Sequence, residues 1–168
     1  MKNPAEEMVT AWLQECKGLF TMNNIKVPRQ LGGMGAEIDI LATDGKRKIW
    51  IEVSVSTRPR CNFNKDVRFP ETIKSYLSDF IREDKNRKVQ EYFGKKYERW
   101  LVHGKLALSK EEKARFASEI AKHGVKAVYF GEVFQELRTL KDYRLDSARG
   151  YMNLFEAFQW QYRMRRFG

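Results

Sequence analysis

Residues Gly32 to Arg60, GGMGAEIDILATDGKRKIWIEVSVSTRPR, leave the chain few ways to fold. Ile38, Ile40 and Ala42 alternate with Glu37, Asp39, Leu41 and Thr43, and beyond Asp44-Gly45 the residues Ile49, Ile51, Val53 and Val55 alternate with Trp50, Glu52, Ser54 and Ser56. Alternation of period two with β-branched residues predicts two strands, and Asp-Gly between them predicts a hairpin turn. With Asp44 to Arg47 as the loop, Thr43 pairs with Lys48. Counting back, Ala42 faces Ile49, Ile40 faces Ile51 and Ile38 faces Val53, so the apolar partners share one face. The same count sets Asp39 opposite Glu52. Opposed residues have Cβ atoms about 4.5–5.5 Å apart, where like charges destabilise. A divalent cation such as Mg²⁺, which selects carboxylate oxygen, relieves that repulsion. A solvated outer face carrying two acids is the other reading.

At 168 residues with a 42% hydrophobic share, the chain suits one domain with a sizeable core. The net charge of +10 points to a polyanionic partner: nucleic acid first, an anionic membrane surface second. The basic residues are dispersed, so no disordered basic arm is expected. No apolar run approaches membrane-spanning length, and MKNPAEEMV lacks the apolar core of a signal peptide. Cys16 and Cys61 have neither metal spacing nor the look of a disulfide framework. A cytoplasmic, reducing location is the expectation.

Asn3-Pro4-Ala5-Glu6 predicts a helix start, with Val9, Trp12, Leu13 and Cys16 as its apolar stripe. Glu6 either completes a capping box or looks across at the hairpin. Ile25 to Leu31 reads as a first strand, pushed to an edge by Pro28. After the hairpin, Arg58, Arg60, Lys65 and Arg68 interleave with Phe63 and Phe69, a pattern suited to gripping a nucleic-acid strand and equally to an ordinary polar connection. Ile73, Tyr76, Leu77, Phe80 and Ile81 keep helical spacing. The charged run Glu83 to Lys88 is expected to break or bend that helix before Val89, Tyr92 and Phe93 resume it. Arg99 to His103 and Val125 to Phe130 read as buried strands, separated by a helix opened by the capping box Ser109-Lys-Glu-Glu112 and ending at about His123. Val133, Phe134 and Leu137 begin another helix. Tyr151, Leu154, Phe155, Phe158 and Tyr162 form a last aromatic stripe, read as core or as a dimer face. His103 and His123 belong to no Ser/His/Asp arrangement. The order predicts an α/β fold with a mixed sheet and helices on both faces, in a single domain over 1–168 with a C-terminal helical extension from about 131.

EIDILATDG followed by IWIEV resembles the PD-(D/E)xK nuclease superfamily, in the style of Holliday-junction resolvases. The likeness covers about the first sixty residues. It implies a restriction-endonuclease-like core (αβββαβ) and a Mg²⁺-dependent endonuclease acting on DNA, with Mn²⁺ able to substitute. By position, Asp39 and Glu52 match the metal-binding acids, the carbonyl of Val53 a further ligand, and Glu6 the glutamate of the first helix, with Glu7 in reserve. The chain departs from the pattern at Ser54, where the family has lysine. Lys74 is the first choice to supply that cation, ahead of Arg58 and Lys65, although a solvated lysine explains Lys74 as well. Arg58, Arg60 and Lys65 are the expected nucleic-acid contacts. Ser54 also supports another reading, a nuclease-fold protein that binds nucleic acid without cutting it. An interaction protein built on the aromatic C-terminal helix is a third. The resemblance leaves room for a homodimer.

Overall fold

The computed structural model describes residues 3–28, 35–55, 69–104 and 109–140. Its elements run α1 (Pro4–Glu15), β1 (Phe20–Val27), β2 (Ala36–Thr43), β3 (Lys48–Val55), α2 (Phe69–Leu77), α3 (Glu83–Phe93), β4 (Glu98–Gly104), α4 (Lys110–Ala121), β5 (Lys126–Tyr129) and α5 (Phe130–Thr139). The five strands form one sheet in sequence order. The β1–β2 and β2–β3 pairs are antiparallel; β3–β4 and β4–β5 are parallel. This is the mixed α/β sheet expected from the alternation of elements.

Local chemistry explains the elements. Asn3 Oδ1 accepts from the Ala5 N–H at 3.1 Å, Pro4 occupies the first helical position, and Met8, Val9, Trp12 and Leu13 bury the α1 stripe. The hairpin turn holds because Gly45 adopts φ +88° and Asp44 Oδ1 accepts from the N–H groups of Lys46 and Arg47. Ser109 and Glu112 form a reciprocal capping box at α4, with bonds of 3.1 and 2.8 Å.

Helices cover both faces. On one, α1 and α5 pack over Ile40, Ala42, Ile49, Ile51 and Val102; on the other, residues of α2, α3 and α4 pack over Leu41, Trp50 and Leu101. The face of the hairpin that carries Trp50 and Glu52 is therefore interior, and the alternative of a solvated outer face does not hold for it.

The structure corrects the sequence reading in three places. The first strand lies at Phe20–Val27, ahead of the expected Ile25 to Leu31, and Pro28 follows it. The charged run Glu83 to Lys88 opens α3 as a separate helix. The hairpin register runs as counted from Thr43↔Lys48 to Ile40↔Ile51, where the ladder ends, so Ile38 and Val53 do not pair. Ile38 instead joins the cluster beneath α2–α4, while Ile40 and Val53 belong to the opposite one. Strand β2 thus changes face at Asp39. Its other neighbour marks the same point: Asn24 of β1, between the pairs Asn23↔Ile40 and Ile25↔Ile38, has φ +54°. Asn tolerates that left-handed conformation better than most residues. Among the described residues, no helix is long and apolar enough to cross a membrane. The expected helix over Tyr151 to Tyr162 lies outside the described residues.

Candidate metal and nuclease site

The face change brings Asp39 to the point where β2 leaves β3. A ladder would satisfy the Val53 N–H with backbone; here Asp39 Oδ2 accepts it at 2.7 Å. Burial pushes the Asp39 carboxyl up to about 6. The Val53 N–H opposes this, Glu6 adds to it, Lys85 opposes, and Asp79 adds again. Glu6 itself is held by the side-chain amides of Asn3 (2.7 Å) and Asn24 (3.0 Å). It reaches the site through its charge on Asp39 and does not complete the capping box with the Asn3 backbone.

Glu52 is 4% exposed, and both of its carboxylate oxygens are engaged. Trp50 Nε1 donates to Oε1 at 2.6 Å, and Lys85 Nζ donates to Oε2 at 2.9 Å. Burial, and next the charge of Asp39, push this carboxyl upward, against the pull of Lys85. Asp39 and Glu52 therefore feel one another, although the paired ladder ends at Ile40↔Ile51, one step short of their predicted opposition.

Lys85 is the candidate site residue that sequence reasoning missed. It is 3% exposed, and its ammonium also meets Asp79 Oδ1 at 2.8 Å. Lysine is almost never this buried unless paired. Burial would lower its pKa, but the carboxylates of Glu52 and Asp79 outweigh that and raise it, so the cation is retained. Its position is braced by Asn86, whose Nδ2 donates to the carbonyls of Phe80 and Arg82 while its Oδ1 accepts from Tyr97. A signal was present: Lys85, Val89 and Phe93 recur at intervals of four and all three are buried. The density of charge around Lys85 hid its place on the apolar stripe.

Lys74, the cation favoured from sequence, is exposed on α2 and is not among the charges that shift Asp39 or Glu52; the cation beside the two acids is Lys85. Arg58, Arg60 and Lys65 lie outside the described residues. Ser54 is exposed and stands in register with His103 of β4, a 3%-exposed histidine lowered to about 4 by burial and then by the charge of Lys113.

Among the described residues, no group of three or more His, Cys, Asp or Glu is arranged to hold a metal. Mg²⁺, however, is commonly bound by one or two carboxylates with waters and substrate phosphate, without an all-protein cage. Asp39 Oδ1 has no hydrogen-bond partner among the described residues, and two coupled acids favour added positive charge, so the donor set fits that mode. The Trp50–Glu52 bond has a cost that can be measured. Trp50→Phe is expected to lower unfolding free energy by about 1.5–3 kcal/mol in urea denaturation, because it removes a buried bond to a charged acceptor.

No protein-family model matches the sequence, nor does any curated protein. Among solved structures, a crystal structure of a protein of unknown function, AF1548, aligns with a TM-score of 0.48 and 15% identity, over 89% of this chain and 79% of its own.

Proposed function

We propose that the protein is a Mg²⁺-dependent endonuclease on a restriction-endonuclease-like core, hydrolysing DNA phosphodiester bonds. The observation that carries this reading is the buried Lys85–Glu52 pair, 2.9 Å apart, beside Asp39. It supplies the cation that Ser54 lacks, from α3 instead of from β3. Asp39 and Glu52, with the Val53 carbonyl, would hold the metal, and Glu6 would contribute negative charge behind Asp39. Mg²⁺ bound there supplies Lewis acidity to a phosphoryl oxygen and to a water. The Val53 N–H and the Trp50 N–H orient the two carboxylates. Lys85 keeps Glu52 in place and sets a positive charge beside the position of the phosphate. The basic surface, including Arg58, Arg60 and Lys65, would grip the backbone with an affinity that falls as salt rises.

Cleavage of plasmid, branched and single-stranded DNA in Mg²⁺ or Mn²⁺ tests this. Product that depends on metal and disappears in Asp39→Ala is expected; no cutting of any substrate would refute the enzyme reading. The non-cleaving alternative is favoured by Ser54 and by the engagement of both Glu52 oxygens within the protein. Salt-sensitive binding without product would establish it.

The site also predicts a pH dependence. Asp39 holds its proton more tightly folded (about 6) than at its ordinary value of 3.8, so it subtracts stability as pH rises from about 4 through about 6. Glu52, also raised, acts in the same sense. Metal binds the ionised acids and releases protons. Mg²⁺ should therefore raise the melting temperature at pH 8 and have little effect at pH 5, as read by differential scanning fluorimetry.

A further inference from the structure

Strands β3, β4 and β5 run parallel, so the segments that lead into them, residues 44–47, 94–97 and 122–125, lie along one end of the sheet. The candidate site is not at this end: Lys48, which starts β3, stands about 13 Å along the strand from Glu52. Among the described residues, Lys46, Lys48, Lys95, Lys96, Arg99 and Lys126 have no carboxylate partner. Lys48 Nζ donates to the Phe93 carbonyl at 2.9 Å, and Arg99 Nη2 to the His123 carbonyl at 3.2 Å. The acids of these segments and strand starts are engaged elsewhere. Asp44 pairs with Arg47 at 2.8 Å, and Glu98 accepts from Trp100 Nε1 at 2.8 Å. Lys122 is matched by Glu119 at 2.6 Å. This end of the sheet therefore carries a surplus of positive charge.

A groove of about 590 Å³ opens here. It exists because β4 starts before β5 reaches it. The first pair between them is Trp100↔Lys126, which leaves Glu98 and Arg99 bordering open space. Ala117 and Ala121, about one turn apart on α4, line it together with Gly124 and Ala127, so its walls are low. Gly124 takes φ +67°, and a Cβ there would stand 3.2 Å from Arg99 Nη2. The glycine thus ends α4 and also leaves the guanidinium its place. Arg99 and Lys126 both line the groove. The Lys126 ammonium lies 4.1 Å from the centroid of the Trp100 ring, a contact that orients the cation without neutralising it. A guanidinium with most of its N–H groups unengaged and an ammonium held over a ring are donors suited to phosphate oxygen.

We propose that this end of the sheet binds the phosphate backbone of nucleic acid, with Arg99 and Lys126 taking one phosphate at the groove and Lys46, Lys95 and Lys96 meeting its neighbours. The spread of the cations favours a polymer over a small anion. Neighbouring strands lie about 4.8 Å apart, so the entrances to three strands span about 10 Å, and that length of duplex carries about six charges. Contacts to phosphate position a duplex without reading its bases, so the grip is independent of sequence. The surface stands apart from Asp39 and Glu52 and does not depend on the nuclease reading. It gives part of the net charge of +10 a place on the fold.

The test uses the full chain in EDTA, so that binding is read whether or not the protein cleaves. Anisotropy of fluorescein-labelled duplexes of two unrelated sequences is followed across salt concentrations. Wild type is compared with two double variants, Arg99→Gln with Lys126→Gln, and Lys95→Gln with Lys96→Gln. Each pair removes two charges, so the slope of log K against log salt should fall by about 1.8 in either variant. Kd at low salt should rise roughly tenfold or more, and equally for both sequences. Acetylation of lysines, read by mass spectrometry, should show Lys95, Lys96 and Lys126 protected when duplex is bound. Unchanged slopes, or lysines acetylated alike with and without duplex, overturn the proposal and leave the nuclease reading to be decided by cleavage in Mg²⁺. Variants that lose binding of inorganic pyrophosphate while holding duplex as tightly as wild type also overturn it, in favour of a small phosphate ligand. Should the Arg99 and Lys126 variant not melt as wild type does, the exposed Lys95 and Lys96 pair and the acetylation pattern decide. Wild type that binds no duplex at low salt overturns this proposal and the nuclease reading together.

Discussion

Lys85→Met is expected to abolish cleavage and to lower unfolding free energy by about 3–5 kcal/mol near pH 8. The reason is the pair of contacts at 2.9 and 2.8 Å to Glu52 and Asp79 in a setting where Lys85 is 3% exposed. Removing the ammonium leaves the Glu52 carboxylate buried with only the Trp50 N–H to answer it. Glu52 can escape by taking a proton, so the loss should shrink as pH falls, which denaturation at pH 5 and pH 8 would reveal. Adding Glu52→Gln to Lys85→Met removes the orphaned charge and should restore much of the stability, since neutral replacements for a buried pair are often tolerated. Cleavage should stay absent in the double variant. Recovery of stability without recovery of activity separates what Lys85 does for the fold from what it does for the reaction. Full activity in Lys85→Met would remove it from the mechanism.

Asp39→Asn is expected to reduce cleavage by at least about three orders of magnitude while leaving duplex binding within a few-fold of wild type. Losing one of two acids costs several kcal/mol of metal-borne charge stabilisation, and about 1.4 kcal/mol is a factor of ten in rate. The fold should survive, because an asparagine oxygen can still accept the Val53 N–H that now reaches Asp39 Oδ2 at 2.7 Å. The neutral side chain also removes a half-buried, repelled carboxylate. Melting temperature in the absence of metal should therefore rise at pH 8, and the stabilisation by Mg²⁺ should vanish. Cleavage kinetics and fluorimetry on the one variant check all three outcomes; retained Mg²⁺ stabilisation would place the ion elsewhere.

Much of this was legible in one dimension, for a physical reason. Turn chemistry at Asp44-Gly45, the caps at Asn3 and Ser109, and alternation along Ile49 to Val55 act over a few residues, and each was recovered as read. Hairpin register is equally local, since the loop sets the count, and it carried correctly through to Ile40↔Ile51. The next step of that count, Asp39 opposite Glu52, lies beyond the end of the ladder, and the two acids are related in the folded chain through their charges and not through strand pairing. Three things were decided only in the folded chain. The left-handed Asn24 on a neighbouring strand accompanies a change of face at Asp39 that periodicity within β2 does not announce. Packing of α2 and α3 turned what alternation allowed to be an outer face into an interior one. Finally, Lys85 lies thirty-three residues from Glu52 in sequence, and its burial among charged neighbours makes sense only once two carboxylates are seen waiting for it. Propensity and patterning are set by neighbours along the chain, whereas the desolvation that pairs an ammonium with a buried acid is set by whatever the tertiary fold brings alongside.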